Sequence, residues 1–115
     1  SVGSVSDSRV KENITTINSA LNKVKQLNPV KFDWADPIRN TDSDRTSNSD
    51  FGFIAQEMEN HYPDVVYTGP VTNDEMPDNL KTISYSSIIP ILTKAIQEQQ
   101  EQIEELKAQV AALQN

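Results

Sequence analysis

The chain has 115 residues, with 17 acidic against 10 basic side chains and a net charge of -7. That balance argues against a nucleic-acid surface, which needs basic patches, and against docking on an anionic membrane. There is no cysteine, so disulfides and thiolate metal sites are excluded, and no apolar run approaches the roughly 20 residues that span a bilayer.

The length fits one domain, and a unit this small often completes its core with a partner. Residues 1–5 are small and read as a linker. From Val10 the apolar positions Val10, Ile14, Ile17, Leu21, Val24 and Leu27 step by threes and fours, the helical period. The spacing predicts a firm helix from Thr16 to Gln26, stopped by Asn28-Pro29. Val30 to Trp34 alternates as a half-buried strand does. Ala35 to Asp50 is rich in Asp, Asn, Ser, Thr and Arg and reads as an exposed loop. Phe51 to Ile54 is a short strand or strand end, and Ala55 to Asn60 a short helix that Tyr62-Pro63-Asp64 breaks. Val65 to Tyr67 is a further strand, Thr68 to Asn79 is turn-like, and Leu80 to Tyr85 is the strand expected to pair with it. Phe32, Trp34, Phe51 and Phe53 are expected in the core, with Ile54, Ala55 and Met58 facing inward.

The last segment carries the clearest pattern. Ser86 or Ser87 caps a helix, and Pro90 is tolerated in its first turn. Ile89, Ile96, Ile103 and Val110 recur every seven residues, interleaved with Leu92, Gln99, Leu106 and Leu113. This is the a/d seam of a coiled coil. A helix with one narrow apolar stripe needs copies of itself or a partner. Ile or Val at a with Leu at d leans toward two strands, Gln99 is a polar interruption, and the flanking Gln100, Gln102, Lys107, Gln109 and Gln114 decide little. Heptad rules alone leave the number of strands open. The fold class is therefore α+β: a small mixed domain over 6–85 with short strands and an N-terminal helix, then a C-terminal coiled-coil helix over 86–115.

Few residues carry chemistry. Ser6-Asp7-Ser8-Arg9-Val10-Lys11 sets a hydroxyl and an amine close together, and Ser–Lys pairs form a recognised hydrolytic centre when the lysine is neutral. The plainer reading is a polar turn, with Ser6, Asp7 or Ser8 as a cap and Lys11 solvated. A calcium loop starting at Asp42 fails, because it needs glycine where Ser47 stands and glutamate where Phe53 stands. His61 is the only histidine and reads as a surface or capping residue. One histidine without cysteine leaves no zinc site, and no metal or cofactor is expected.

Several motifs occur in a fixed order. They are Ser6-Asp7-x-Arg9-x-Lys11, Pro29-Val30-x-Phe32-x-Trp34, Gly52-Phe53-Ile54-Ala55-Gln56-Glu57, Tyr62-Pro63-x-x-Val66, Tyr85-Ser86-x-Ile88-Ile89-Pro90-x-Leu92 and Ala95-Ile96-Gln97-Glu98. In this order the chain resembles the C-terminal intramolecular chaperone domain of phage tailspikes and tail fibres, a family of self-cleaving peptidases. The resemblance implies a homotrimer, hence three strands in the seam. It also implies a chaperone that assists folding of an upstream β-rich fibre or spike segment, in the bacterial host cytoplasm during phage assembly. By motif match it makes Ser6 the nucleophile and Lys11 the general base, with the cut at the Val5–Ser6 bond. Arg9 is then a cation that depresses the Lys11 amine, with Asp7 and Glu57 as supporting residues. The alternative is a trimerisation and folding module that does not cut.

Overall fold

The computed structural model describes residues 3–35, 48–69 and 79–114. Most of the expected polar loop over 35–50, the calcium-like Asp42 run, and most of the turn over 68–79 lie outside the described residues.

The architecture is α+β. A single 3₁₀ turn, Ser8–Val10, precedes helix α1 at Ala20–Val24. Strands β1 (Val30–Asp33) and β2 (Ser49–Gly52) pair antiparallel, with Val30 opposite Gly52 and Asp33 opposite Ser49. Helix α2 (Ala55–Glu59) and a 3₁₀ turn (Pro63–Val65) lead to β3 (Val66–Thr68). Strand β3 pairs antiparallel with β4 (Lys81–Ile83), as the sequence pattern requires. A last 3₁₀ turn, Tyr85–Ser87, runs into α3, Ile88–Leu113. At 26 residues, α3 is about 39 Å long.

Two-stranded ribbons are marginal alone; the β3–β4 ribbon joins the core through Val66 and Ile83, whereas no residue of β1 or β2 belongs to it. Ala20 and Leu21 of α1, Met58 of α2, Val65, Val66, and Ile88, Ile91 and Ala95 of α3 are buried together, with Phe53, Tyr62 and Ile83 packed against them. The first turns of α3 thus belong to the domain core. A second tie runs from β2 to the entry of α3, where the Tyr85 hydroxyl accepts a hydrogen bond from the Phe53 amide at 3.0 Å. Gly52 makes room for this: a Cβ there would stand 2.5 Å from the Tyr85 oxygen.

Three expectations are corrected. The helix expected over 16–26 shrinks to Ala20–Val24, because Asn13 and Ser19 adopt left-handed backbone (φ 54° and 57°). The stretch before it also holds Ile14, Thr15, Thr16 and Ile17, β-branched residues that favour helix weakly. Phe51 is 76% exposed instead of buried. It sits opposite Lys31 in the β1–β2 register, on the outer face that alternation assigns to Lys31, while Phe32 and Trp34, also expected in the core, are half-buried against each other at 4.8 Å and outside the core cluster. Ile54 precedes α2 at its N-cap and is 41% exposed. The start of α3 also differs in detail, since Ser87 makes no side-chain cap bond and its hydroxyl pairs with that of Ser84 at 2.8 Å.

Candidate functional site

The N-terminal edge is shaped by Asp7. Its carboxylate caps the 3₁₀ turn by accepting the Arg9 amide at 2.8 Å, and it binds the Arg9 guanidinium through Nε at 3.0 Å and a terminal nitrogen at 2.9 Å. The Arg9 side chain, and after it the Arg9 amide, hold the Asp7 carboxyl below its ordinary range. The same pairing raises Arg9. Backbone bonds from Val10 to Asp7 and from Lys11 to Ser8 close the turn.

One tight turn between Ser6 and Lys11 brings their side chains together. The Lys11 amine donates to the Ser6 hydroxyl oxygen at 2.5 Å. The pair lies in the open: both residues are exposed. Apolar side chains around it are also in water, with Val5 79%, Val10 64% and Ile14 72% exposed.

The other expected site residues are distributed differently. Arg9 is engaged by Asp7, which balances its charge. Glu57 accepts a hydrogen bond from Asn28 at 3.3 Å and lines a small cavity with His61, Leu27 and Phe53. Among the described residues no group of three His, Asp or Glu side chains is placed to hold a metal ion.

The seam residues Ile89, Leu92, Ile96, Ile103, Leu106, Val110 and Leu113 are all exposed large apolar side chains, and Gln99 is exposed among them. Helix α3 therefore has two apolar faces. Ile88, Ile91 and Ala95 face its own chain, and the heptad stripe faces solvent.

One residue of this construction escaped the sequence reading. Glu98 accepts hydrogen bonds from the Ala20 amide at 2.7 Å and the Leu21 amide at 3.1 Å. It caps α1 from a helix 78 residues away in sequence, where the N-cap residue Ser19 makes no side-chain cap bond. The Glu98 charge also adds to burial in raising the Tyr62 hydroxyl above its ordinary range, burial being the larger cause. The available signal was its place three residues after Ala95, in line with the stripe Ile88, Ile91, Ala95. A carboxylate closing an apolar stripe needs a donor.

Fold and site together define a small α+β module built on one long amphipathic helix, with a serine–lysine pair at its N-terminal edge. Residues 6–67 match the family described as the chaperone of endosialidase, a family classed among the peptidases, and the chain belongs to it. It is 36% identical over 104 residues to the long tail fiber protein Gp37 of Enterobacteria phage M1, an alignment that takes in 89% of this chain and 38% of that protein. It is 29% identical over 105 residues to the Gp37 of Enterobacteria phage K3, taking in 91% of this chain and 8% of that protein. The chain thus spans well under half the length of these relatives. It is a chaperone-family domain related to phage tail fibres.

Proposed function

We propose that this chain assembles as a homotrimer through the α3 seam, assists folding of an upstream fibre or spike segment in the same polypeptide, and then cuts itself free at the Val5–Ser6 bond. The setting is the host cytoplasm during phage assembly. The observation that carries the cutting half is the contact between the Ser6 hydroxyl and the Lys11 amine at 2.5 Å.

The chemistry follows from the pair. In its neutral form the Lys11 amine accepts the Ser6 hydroxyl proton while the oxygen attacks the Val5 carbonyl carbon. The tetrahedral intermediate collapses by breaking the Val5–Ser6 C–N bond, and the proton passes from Lys11 to the departing Ser6 amine. An ester now joins Val5 to the Ser6 oxygen. Water, deprotonated by the same lysine, hydrolyses it to a Val5 carboxylate and a chain beginning at Ser6. Each copy turns over once, because its substrate is its own backbone.

Trimerisation supplies what a long β-rich fibre lacks. Three chains must be brought into register before distant β pairing is rewarded, and closing such long loops is slow. A C-terminal seam sets that register once. Cutting afterwards removes the folding aid and leaves the fibre kinetically trapped.

Intact mass of the chain joined to its natural upstream segment, beside Ser6→Ala, tests the reading. The expected result is a fragment beginning at Ser6 from the wild type and none from the variant. If both stay whole while assembled, the chain is the non-cutting folding module. The exposure of Ser6 and Lys11 in the single chain is the observation that favours that second reading.

A further inference from the structure

Ser6 stands one residue before the N-cap of the 3₁₀ turn Ser8–Val10, and Lys11 is its C-cap. Both reacting side chains therefore hang from the ends of one three-residue turn. Whatever fixes the turn fixes the contact between the Ser6 hydroxyl and the Lys11 amine. Packing does not fix it, because the turn has no buried residue. Backbone bonds alone do not hold so short a segment. They run from the Val10 amide to the Asp7 carbonyl and from the Lys11 amide to the Ser8 carbonyl.

Side-chain bonds supply the rest, and they meet on Asp7. One carboxylate oxygen accepts both the Arg9 amide and Arg9 Nε, and the other accepts a terminal nitrogen of the same guanidinium. The carboxylate is thereby held in a planar fork, which a lysine ammonium cannot reproduce. The Asp7 carbonyl meanwhile accepts the Val10 amide. Asp7 thus grips the turn by its backbone and by its side chain, directly beside the attacking serine. The fork has a second consequence. The Arg9 cation, expected to act on Lys11 by its charge, is neutralised at contact distance by Asp7, and what is left of its field is screened by water.

We infer that Asp7 and Arg9 are positioning residues for the cut: the Asp7 carboxylate, locked by the Arg9 fork, holds the turn that sets the Ser6 hydroxyl on the Lys11 amine, and Arg9 serves this geometry and not the charge state of the lysine. The inference rests on the reading of Ser6 and Lys11 as the cutting pair. It replaces an electrostatic role for Arg9 with a mechanical one, and it gives Asp7 a role of its own.

The test follows the chain joined to its natural upstream segment by intact mass over time and across pH, with the Tm of each form measured alongside. The wild type is expected to cut. Asp7→Ala loses the cap and the fork together and should cut about ten-fold more slowly, each loss lowering the turn population a few-fold. Asp7→Asn keeps an oxygen for the Arg9 amide and should recover part of the rate, to about three-fold below the wild type. Arg9→Ala and Arg9→Lys should both fall about three-fold, since neither carries the fork. Asp7→Asn combined with Arg9→Ala should be no slower than either alone, because both remove the same bond. The pH–rate midpoint should stay in place throughout, and so should Tm, because the turn is exposed and gives nothing to the core.

An Asp7→Ala variant cutting at the wild-type rate overturns the inference. So does a pH–rate midpoint that rises in Arg9→Ala and returns in Arg9→Lys, the mark of a charge acting on the base. A double variant slowed about nine-fold, the product of independent effects, also overturns it. A rate loss matched by a fall in Tm assigns Asp7 to folding and overturns it too. Each of these leaves the cutting reading standing. A wild type that stays whole, like Ser6→Ala, overturns the cutting reading and this inference with it.

Discussion

Replacing Glu98 with alanine removes the carboxylate that joins α1 to α3. Two backbone amides lose their acceptor, those of Ala20 and Leu21, and both residues are buried, so water replaces the carboxylate poorly. Ser19 remains in left-handed backbone with no side-chain cap bond to substitute. A lost cap costs about 1 kcal/mol, and a hydrogen bond to a charged group is worth roughly 1.5–3 kcal/mol. These two figures describe the same contact, so the loss expected here is roughly 2–3 kcal/mol, or on the order of 10 °C in Tm for a domain of this size. The assay is thermal or urea unfolding at one fixed protein concentration, since any self-association would make stability concentration-dependent. Glu98→Gln retains a carbonyl acceptor and should recover more than half of the loss. A second readout is the Tyr62 hydroxyl, whose raised titration owes its smaller part to the Glu98 charge. It should move partway down in Glu98→Gln. An alanine variant within about 0.5 kcal/mol of wild type would refute the cap as a structural link.

Two further outcomes follow from the geometry. Gly52→Ala should destabilise by about 1–3 kcal/mol, because the new methyl displaces the Tyr85 hydroxyl from the Phe53 amide. Adding Tyr85→Phe removes the colliding oxygen, so unfolding of the double variant should show a cost smaller than the sum. Asp7 should titrate below the ordinary carboxylate value of 3.8. Its pairing is then complete above that pH and lost only as the pH falls through the lower folded value. Carboxyl NMR should show this, and Arg9→Ala should return the midpoint upward; an unchanged midpoint in the variant would exclude Arg9 as the cause.

Elements whose determinants lie within a few residues were legible in the sequence. The long helix α3 with its exposed heptad stripe, the pairing of β3 with β4 and the short α2 all follow from local period. The proximity of Ser6 and Lys11 follows from a single turn. What escaped depends on partners distant in the chain. The three-and-four spacing from Val10 to Leu27 looks like one helix, yet only its second half finds a core to bury against, and the boundary is set by Glu98 from far along the chain. Phe51 looks like core until the β1–β2 register sets it opposite Lys31. That register also extends β2 back to Ser49 and Asp50, polar residues that composition alone assigns to a loop.

Helix α3 divides cleanly at Glu98. Before that residue it is part of the domain, and after it every described residue is exposed and none belongs to the core cluster. The distal half is therefore modular: it can lengthen or shorten by whole heptads without disturbing the fold above it, so long as Ile89, Leu92 and Ile96 set the phase. The distal stripe can thus be varied, or exchanged by an engineer who splices in a foreign heptad run, while the core and the Ser6–Lys11 turn keep their shape.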